Sequence, residues 1–480
     1  MNPALRVLKN STALSISIVL ERALAFLLPW YVARILGPDT WGNYSTALAF
    51  VLMAEALAPW GLIGLLPREV ARNRPMTGAY LTNGGIIAGA ASVFSIILVL
   101  IFAWLLNYPN DVAYLIYIGV VLTVLPAAEA AIIESVITGV EKMEWIVVAR
   151  FPLTVIRVAG SVFLLSKGWG IEVLFYLLAG YYVVLSIAYL CLIRRNLPHF
   201  RFSLDTTLIK SLAIQALPFV VIVASSQVFL QLDRVFLSKL WDTDAVGIYA
   251  AGIMTVQLMY MLAPAIMQSL YPGLSRAYLK SRTRFSNLVS QIFKLLFIGV
   301  YPVMMTIIAF AEVVIILVFG REYESSVIVL RIVALGILPS FLSRILYRSI
   351  LASDNERLGI FVSIFSSLFS LVAVVLLVPS YGVVGASIAA ASTMFFNMII
   401  NYYFARRVVR FEVQQAILRP SACALVSMVA FGILMQWSYI GAWVVSMIIF
   451  VLMLLGTRTL RLSELRELTA TKAGHETFRQ

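Results

Sequence analysis

The sequence predicts an all-α polytopic membrane protein with about 14 transmembrane helices, arranged as two six-helix lobes plus two C-terminal helices. The first observation is composition: 61% of the 480 residues are hydrophobic and only 12% are charged. A soluble domain, in contrast, is about half apolar and about a quarter charged. The second observation is a series of long apolar runs, and the third is an internal repeat. Together they favour two matching lobes around a central cavity.

The apolar runs set the number of spans, because a membrane helix needs about 20 mainly apolar residues. Fourteen runs fit this requirement, although the last two are short. They cover roughly residues 11–36, 43–65, 80–105, 113–138, 147–165, 171–193, 211–239, 246–271, 289–311, 326–350, 358–378, 384–404, 420–437 and 441–456. The stretch "AEVVIILVFG", 311–320, is too short to span after the ninth run, so we interpret it as an interfacial or re-entrant turn.

The distribution of basic residues predicts the orientation. With the N-terminus inside, the cytoplasmic segments hold 26 of the 36 Lys and Arg, the opposite side holds three, and seven lie within spans. Cytoplasmic loops of membrane proteins carry such an excess of Lys and Arg. Both termini are therefore expected in the cytoplasm. The net charge of +13 reflects this topology, and nucleic acid is not an expected partner.

A repeat appears when the sequence is shifted by 205 residues, which lays the first two spans on the seventh and eighth. Nine of 29 positions are identical: Asp39, Gly42, Tyr44, Val51, Leu57, Ala58, Pro59, Leu65 and Pro67 match Asp244, Gly247, Tyr249, Val256, Leu262, Ala263, Pro264, Leu270 and Pro272. Arg34 also aligns with Lys239. Because six spans lie between the copies, both run the same way across the bilayer. This predicts a parallel repeat about a pseudo-twofold axis along the membrane normal.

The repeat also predicts the domain organisation. The segments are an N-terminal six-helix lobe (1–193), a cytoplasmic linker (194–210), a C-terminal six-helix lobe (211–410), two extra transmembrane helices (411–456) and a cytoplasmic tail (457–480). Prolines inside spans bend helices because each removes a backbone hydrogen bond, although membrane helices tolerate proline in general. Pro29, Pro59 and Pro264 are the predicted hinges, and the last two match in the repeat.

Ionisable residues inside the spans are the candidate functional residues, because a charge at a helix centre costs about 2.5–3.5 kcal/mol on the insertion scale. Seven lie near a span end, where snorkelling to the headgroups is expected. They are Arg34, Glu134, Asp233, Arg234, Lys294, Arg331 and Arg344. Five lie near the midplane, all in the first lobe. They are Glu21, Arg22, Glu55, Glu129 and Arg157.

Two interpretations of the midplane charges stay open. In the first, they form buried interhelical ion pairs, such as Arg22 with Glu129 or Arg157 with Glu55. In the second, they line a wet cavity that holds an anionic group and a coupling proton. A guanidinium suits phosphate or pyrophosphate because its planar donors bind two oxygens at once. The arginine would then serve the anion, and the glutamate would compensate its charge or carry a proton.

Four stretches of the chain contain motifs that resemble those of a known family. They are "ARILGPDTWGNYSTALAF" after the first span, "REVAR" after the second, "VFGREYESS" before the tenth, and "ASDNERLGIFVSIFSSLFSLVAVVLLVPSYGVVGASIAAA" across the eleventh and twelfth. They resemble oligosaccharide flippases of the polysaccharide transport family (Wzx type). That family belongs to the multidrug/oligosaccharidyl-lipid/polysaccharide exporter superfamily. The resemblance covers residues 1 to about 410.

The resemblance implies two six-helix lobes around a V-shaped cavity that opens alternately to each side of a prokaryotic inner membrane. It implies a substrate that is a glycan on a polyprenyl pyrophosphate, moved from the inner to the outer leaflet for cell-surface polysaccharide biosynthesis. Cationic cavity residues would receive the pyrophosphate: Arg22 and Arg157 match this role by depth, and the second lobe offers Arg234, Arg331 and Arg344. Coupling or charge-compensating roles fall to Glu21, Glu55, Glu129 and Asp233.

Other functional classes are less consistent with the sequence. A cation-coupled multidrug extruder of the same superfamily is the alternative, in which Glu21, Glu55 or Glu129 would bind organic cations. A membrane transferase needs a large loop for its acceptor, and no outer loop exceeds about 15 residues. An ATP-driven pump needs a phosphate loop, GxxxxGK[ST], which the sequence lacks. We expect no enzyme activity, cofactor or metal site. The expected partners are the lipid-linked oligosaccharide, the bilayer, H+ or Na+ as coupling ion, and polysaccharide polymerase or export proteins.

Overall fold

The computed structural model is helical throughout the residues that it describes, which are 3–196, 202–353, 356–407, 409–410, 417–457 and 459. Within these ranges, side chains are described except those of residues 3–23, 25, 226, 229, 261–262, 264–266, 268–269, 271–272, 275, 356–357 and 360. Across the described residues, the remaining backbone forms turns, single-turn π- and 3-10 segments, and short irregular stretches, with no strand. The predicted all-α class is confirmed.

Sixteen α-helices make up the described fold. They are α1 (Pro3–Leu57), α2 (Leu62–Arg72), α3 (Thr77–Leu105), α4 (Asn110–Gly139), α5 (Met143–Ser166), α6 (Val173–Asn196), α7 (Thr206–Val223), α8 (Leu232–Leu240), α9 (Thr243–Lys280), α10 (Arg282–Ala309), α11 (Ala311–Val318), α12 (Ser326–Ala334), α13 (Ile337–Leu351), α14 (Glu356–Ala405), α15 (Arg419–Leu434) and α16 (Tyr439–Gly456). In the described part of the chain, ten helical stretches are long and apolar enough to cross a membrane.

Glycine breaks reconcile these helices with fourteen predicted spans. Gly37 (φ 79, ψ 172) divides α1 into the first span and the start of the second, which α2 completes. Gly382 (φ 54, ψ −127) divides α14 into the eleventh and twelfth spans. Backbone with positive φ is accessible to glycine without the steric penalty that other residues suffer. Both breaks lie at the end of the bundle that the basic residues predict to face outward, called the outer end below.

The seventh span is less regular than the sequence predicts. A single helix over 211–239 is expected, but α7 ends at Val223 and is followed by a π-turn (Ala224–Val228) and a 3-10 turn (Phe229–Gln231) before α8. At its start, the Asp205 carboxylate accepts hydrogen bonds from the side chain of Thr207 and the backbone N–H groups of Thr207 and Leu208. These bonds, led by that from the Thr207 hydroxyl, hold the pKa of Asp205 below its usual range.

The ninth span corrects a second expectation. Residues 311–320, predicted to form an interfacial or re-entrant turn, are helical over most of their length as α11. Phe310 separates α11 from α10, and its N–H donates to the carbonyl of Thr306 while its own carbonyl accepts from Val314. The hydrogen-bonded path therefore continues through Phe310, so that α10 and α11 together reach the outer end. The apolar run was too short to span on its own, but it extends a span that precedes it.

By proximity, the chain divides into two compact units. The first comprises Met1–Ile253, Ile315–Val329 and Ser363–Ala389, and its core includes the buried rings of Phe50 and Phe175. The second comprises Met254–Val314, Leu330–Val362 and Ala390–Gln480, and its core includes the buried rings of Phe285, Tyr301 and Phe450. The domain boundaries expected from the repeat, at 193 and 210, stay a prediction.

Within the first unit, the two copies of the repeat touch each other reciprocally. An added Cβ at Gly42 would lie 1.7 Å from the carbonyl oxygen of Thr243, and one at Gly247 would lie 1.9 Å from that of Pro38. Gly42 and Gly247 are one matched pair at the offset of 205, and Pro38 and Thr243 are another. A contact in which each copy presents the same two positions is what a twofold axis produces. The offset of 205 residues therefore corresponds to a symmetric contact between α1 and α9.

The break at Gly382 generates a prediction about folding. Alanine at this φ and ψ would be strained, and its Cβ would lie 2.7 Å from Cε2 of Trp241, whose indole donates to the carbonyl of Val378. We expect Gly382→Ala to lower the free energy of unfolding by about 1–3 kcal/mol, measured by thermal melting in detergent. Gly180→Ala is the control, because nothing lies within 4 Å of its added Cβ. Equal melting temperatures for the two variants would contradict the account.

Candidate functional site

Arg157 on α5 is a half-buried cation whose described contacts are with aromatic rings. Its guanidinium carbon lies 5.2 Å from the ring centroid of Tyr181 on α6, a cation–π contact that contributes about 0.5–2 kcal/mol. One turn earlier, Thr154 donates to the hydroxyl of Tyr181 at 3.4 Å, which ties the same ring to α5. The Arg157 Nε is buried and has no hydrogen-bond partner among the described residues. Tyr181 therefore orients the guanidinium, and no described ion pair neutralises its charge.

Glu55 shares this region of the first lobe with Arg157. The two side chains interact electrostatically, yet none of the described ion pairs within 4.0 Å joins them. The Glu55 Oε1 is buried and lacks a hydrogen-bond partner in the described structure. The Tyr44 and Tyr182 side chains lie within electrostatic range of both Arg157 and Glu55. The expected Arg157–Glu55 ion pair therefore stays a prediction, because the two groups interact without a described contact within 4.0 Å.

Glu129 on α4 is the third midplane charge whose side chain is described. It is half-buried and lies against α3, where two glycines leave room for it. An added Cβ at Gly85 would lie 3.1 Å from its Oε2, and one at Gly89 would lie 3.8 Å from its Oε1. Within the described part of the chain, no hydrogen bond or ion pair to Glu129 is found. Small residues on α3 therefore create a recess that holds a carboxylate.

Of the remaining midplane residues and predicted hinges, the structure describes the side chains of some and not of others. The side chains of Glu21, Arg22 and Pro264 lie outside the described residues, so the predicted Arg22–Glu129 pair stays a prediction. Pro29 lies inside α1 and is half-buried. Pro59 lies in the turn between α1 and α2, next to Trp60 and Gly61, which both have positive φ.

Asp233 and Arg234 begin α8, directly after the irregular part of the seventh span. The Asp233 carboxylate accepts hydrogen bonds from the backbone N–H of Arg234 and from the hydroxyl of Tyr249. Arg234 donates to the side-chain oxygen of Gln231 at 3.2 Å. Acidic side chains stabilise the first turn of a helix because backbone N–H groups there lack helical partners. These contacts give both residues a local role in forming α8.

The second-lobe cations Arg331 and Arg344 differ in their surroundings. Arg331 lies 4.3 Å from the ring centroid of Tyr439, donates to its hydroxyl at 3.2 Å, and has a nitrogen 4.0 Å from a carboxylate oxygen of Glu312. It thereby connects α12 to α16 and α11. Arg344 is half-buried near the hydroxyl of Tyr260, and both its Nε and that hydroxyl are buried without a described hydrogen-bond partner. Arg344 is thus the less engaged of the two.

Sequence reasoning missed one strong ion pair. Glu134, expected to snorkel, forms an ion pair and hydrogen bond with Arg150. The two side chains are 27% and 29% exposed. The signal was present in the sequence as a basic residue near the start of the fifth span, but its partner on the preceding helix could not be identified without the helix rotations. Lys294, also expected to snorkel, is only 6% exposed.

Within the described ranges, no cluster of three or more His, Cys, Asp or Glu side chains could hold a metal ion. The two cysteines, Cys191 and Cys423, are free. What the first lobe presents is an oriented guanidinium and two carboxylates, which can bind an anionic headgroup, an organic cation or a proton.

Solved structures with the same fold are transporters. The chain is similar to the lipid II flippase MurJ in an inward closed conformation, with 14% identity, a TM-score of 0.73, and coverage of 92% of this chain and 98% of that one. It is also similar to a multidrug resistance MATE family transporter of the MOP superfamily, with 13% identity, a TM-score of 0.65, and coverage of 81% and 94%. The fold is therefore that of a polytopic membrane protein with two lobes.

The family follows from the sequence comparisons. The model of the family described as "Polysaccharide biosynthesis protein" matches residues 7–278, more than half of the chain, and the MatE model matches 218–376. The chain belongs to the polysaccharide biosynthesis protein family. It is similar to the probable low-salt glycan biosynthesis flippase Agl15 of Haloferax volcanii, with 23% identity over 434 residues, or 89% of each chain. The resemblance to flippases expected from the four stretches is confirmed.

The Arg150–Glu134 pair leads to a prediction that separates structural charges from functional ones. Replacing either partner alone, as Arg150→Met or Glu134→Leu, leaves a mostly buried charge without its partner and should destabilise the protein by about 1–3 kcal/mol. The double variant should recover part of this loss in a double-mutant cycle measured by thermal unfolding. The exposed pair Arg74–Glu141 is the control and should show much weaker coupling. Strictly additive losses at Arg150 and Glu134 would contradict the assignment.

Proposed function

We propose that the protein is a flippase that moves polyprenyl-pyrophosphate-linked oligosaccharide units from the inner to the outer leaflet of a prokaryotic cytoplasmic membrane. The direction follows the predicted orientation, with both termini in the cytoplasm. The proposed mechanism is alternating access, in which the substrate site is exposed first to the cytoplasmic side and then to the outer side. The product serves the biosynthesis of a cell-surface glycan. Membership of the polysaccharide biosynthesis protein family and the likeness to a glycan biosynthesis flippase support this proposal.

The observation that supports a diphosphate substrate is the environment of the Arg157 guanidinium. An unneutralised charge inside a span is costly and marks a functional site by default. Tyr181 contacts the Arg157 guanidinium, and the Glu55 carboxylate interacts with it electrostatically without a described ion pair within 4.0 Å. A diphosphate offers several oxygens for such a planar donor. Arg157 is accordingly the residue that receives the pyrophosphate in the first lobe.

The other cations support the same choice by contrast. Arg234 and Arg331 are engaged by neighbouring side chains, and Arg150 forms an ion pair with Glu134. No hydrogen bond or ion pair of the Arg344 side chain occurs among the described residues, so Arg344 is the second-lobe candidate for the anion. Glu55 and Glu129 are the candidates for a coupling proton or Na+ ion. Polysaccharide polymerase or export proteins remain expected partners of the flippase.

A binding experiment tests this assignment. Undecaprenyl pyrophosphate is titrated into the purified full-length protein in detergent, and binding is read by native mass spectrometry. Removing one charge-assisted hydrogen-bond donor group in Arg157→Ala should weaken binding about tenfold. The affinity of Arg157→Lys should lie between that of Arg157→Ala and that of the wild type, because Lys keeps the charge but loses the planar donor pair. Undecaprenol, which lacks phosphate, should bind all variants equally.

The control for this experiment is Lys167→Ala, which removes an exposed cation near the Gly168 turn and should bind as the wild type does. Unchanged pyrophosphate affinity in Arg157→Ala would contradict the proposed role. A different pattern would favour a cation extruder. The specific structural argument for it is the Glu129 carboxylate, which has no hydrogen bond or ion pair with any described residue. In that case the reconstituted protein would transport ethidium, Glu129→Gln would abolish the transport, and pyrophosphate would have no effect.

A further inference from the structure

We propose that Arg34 and Lys239, one from each copy of the repeat, form a paired latch that holds the outer end closed by binding the end of a helix in the opposite predicted lobe. This inference rests on the proposed function, because a latch matters only if the two lobes separate at that end during transport. It assigns a role to two residues that the substrate site does not use. All the contacts that carry it lie within the first compact unit.

The first half of the latch joins Arg34 to the C-terminus of α11. The last four carbonyls of a helix have no intrahelical partner and carry partial negative charge. In α11, the carbonyls of Ile315 and Ile316 accept from the N–H groups that follow the helix. The carbonyls of Leu317 and Val318 accept instead from the Arg34 guanidinium, at 2.8 Å for Val318. Arg34 thus caps a helix that belongs to the other predicted lobe.

Aromatic side chains strengthen this half of the latch. The indole N–H of Trp30 donates to the carbonyl of Val318 at 2.6 Å. In the opposite direction, the hydroxyl of Tyr323, which lies in the 3-10 turn (Arg321–Tyr323) after α11, donates to the carbonyl of Ala33 at 2.8 Å. Contacts therefore run both ways between the end of the first span and the end of the ninth. None of them is needed to form either helix.

The second half of the latch joins Lys239 to the end of α3. Lys239 donates from Nζ to the carbonyl of Asn107 at 3.1 Å, and its ammonium lies 5.4 Å from the ring centroid of Tyr108. The hydroxyl of Tyr108 also shares a hydrogen bond of 2.8 Å with Ser238. Asn107 and Tyr108 form the turn after α3, and Asn107 has a positive φ of 49. Lys239 thus binds at the end of the third span, just as Arg34 binds at the end of the ninth span.

The repeat explains why both halves exist. Arg34 and Lys239 are matched positions at the offset of 205, and each reaches the third span of the lobe to which it does not belong. The glycines of the reciprocal contact, Gly42 and Gly247, each follow one of these cations by eight residues. Thr243 also donates to Asp39 at 2.7 Å. Each copy of the repeat therefore supplies both a cation that reaches the other predicted lobe and a glycine in the close contact between the copies. Opening the outer end must break all of these bonds.

Spectroscopy on the full-length protein tests the latch without any substrate. Spin labels are placed at Asp111 and Tyr381, which are exposed at the outer end of the first and second predicted lobes, after Cys191 and Cys423 are replaced by serine. Electron–electron double resonance in nanodiscs then gives the distribution of label distances. The wild type should show mainly the short distance. Arg34→Ala and Lys239→Ala should each raise the ratio of long to short distances by about threefold to tenfold.

Two sets of controls make the result specific. Arg321→Ala removes an exposed arginine close to the α11 end, with no described hydrogen bond from its side chain, and should leave the distribution unchanged. Arg34→Lys should retain most of the short distance because it keeps a cation at the carbonyls. If Arg34→Ala does not fold, Arg34→Gln and Lys239→Ala still test the latch. An unchanged distribution in the folded Arg34 and Lys239 variants would overturn the proposal.

The outcome also stays separate from that of the substrate assignment. The distance measurement contains no lipid-linked glycan, so an unchanged distribution rejects the latch and leaves the role of Arg157 to pyrophosphate binding. Conversely, a pyrophosphate affinity that is unchanged in Arg157→Ala would reject the substrate assignment. A shifted distance distribution in the Arg34 and Lys239 variants would still support the latch.

Discussion

The constraint on which this molecule depends is that a charge inside hydrocarbon must find a partner or face water. Most charged side chains in the described spans meet the first condition. Arg150 pairs with Glu134, Arg331 stacks on Tyr439, and Arg34 binds helix carbonyls. Each pairing uses a neighbouring helix, so satisfying the charges also specifies which helices touch. The few charges left unpaired in the described structure are then informative, because packing alone gives no reason to keep them.

The repeat adds a second constraint, which acts at one end of the bundle. Two copies of one segment meet at a pair of matched glycines, where no room exists for a side chain. That contact fixes the outer ends of the second and eighth spans against each other. Helix ends leave carbonyls unsatisfied, and Arg34 binds two such carbonyls of α11. The matched cation Lys239 binds a carbonyl in the turn just after α3. The proposed latch and the proposed anion site therefore use different residues, Arg34 and Lys239 for the first and Arg157 for the second.

Much of the fold could be predicted from the sequence, because hydropathy and charge asymmetry act over whole spans. The repeat was visible because glycine, tyrosine and proline recur at one offset, and at Gly42 and Gly247 the close approach of two backbones leaves no room for a side chain. What could not be predicted is which charges pair, since this depends on helix rotation and depth to within one residue. Glu134 and Arg34 were expected to reach the headgroups, yet one pairs with Arg150 and the other caps α11. Likewise, α11 was read as a turn because its own length is too short, although it continues the span before it.

The central claim is that Arg157 receives a lipid diphosphate inside the first lobe. A cryo-EM map of the protein in nanodiscs that contain undecaprenyl pyrophosphate tests this most directly. The account predicts diphosphate density within hydrogen-bonding distance, about 2.7–2.9 Å, of the Arg157 guanidinium, beside the ring of Tyr181. Diphosphate density bound elsewhere, with Arg157 joined to Glu55 in a closed ion pair, would contradict it.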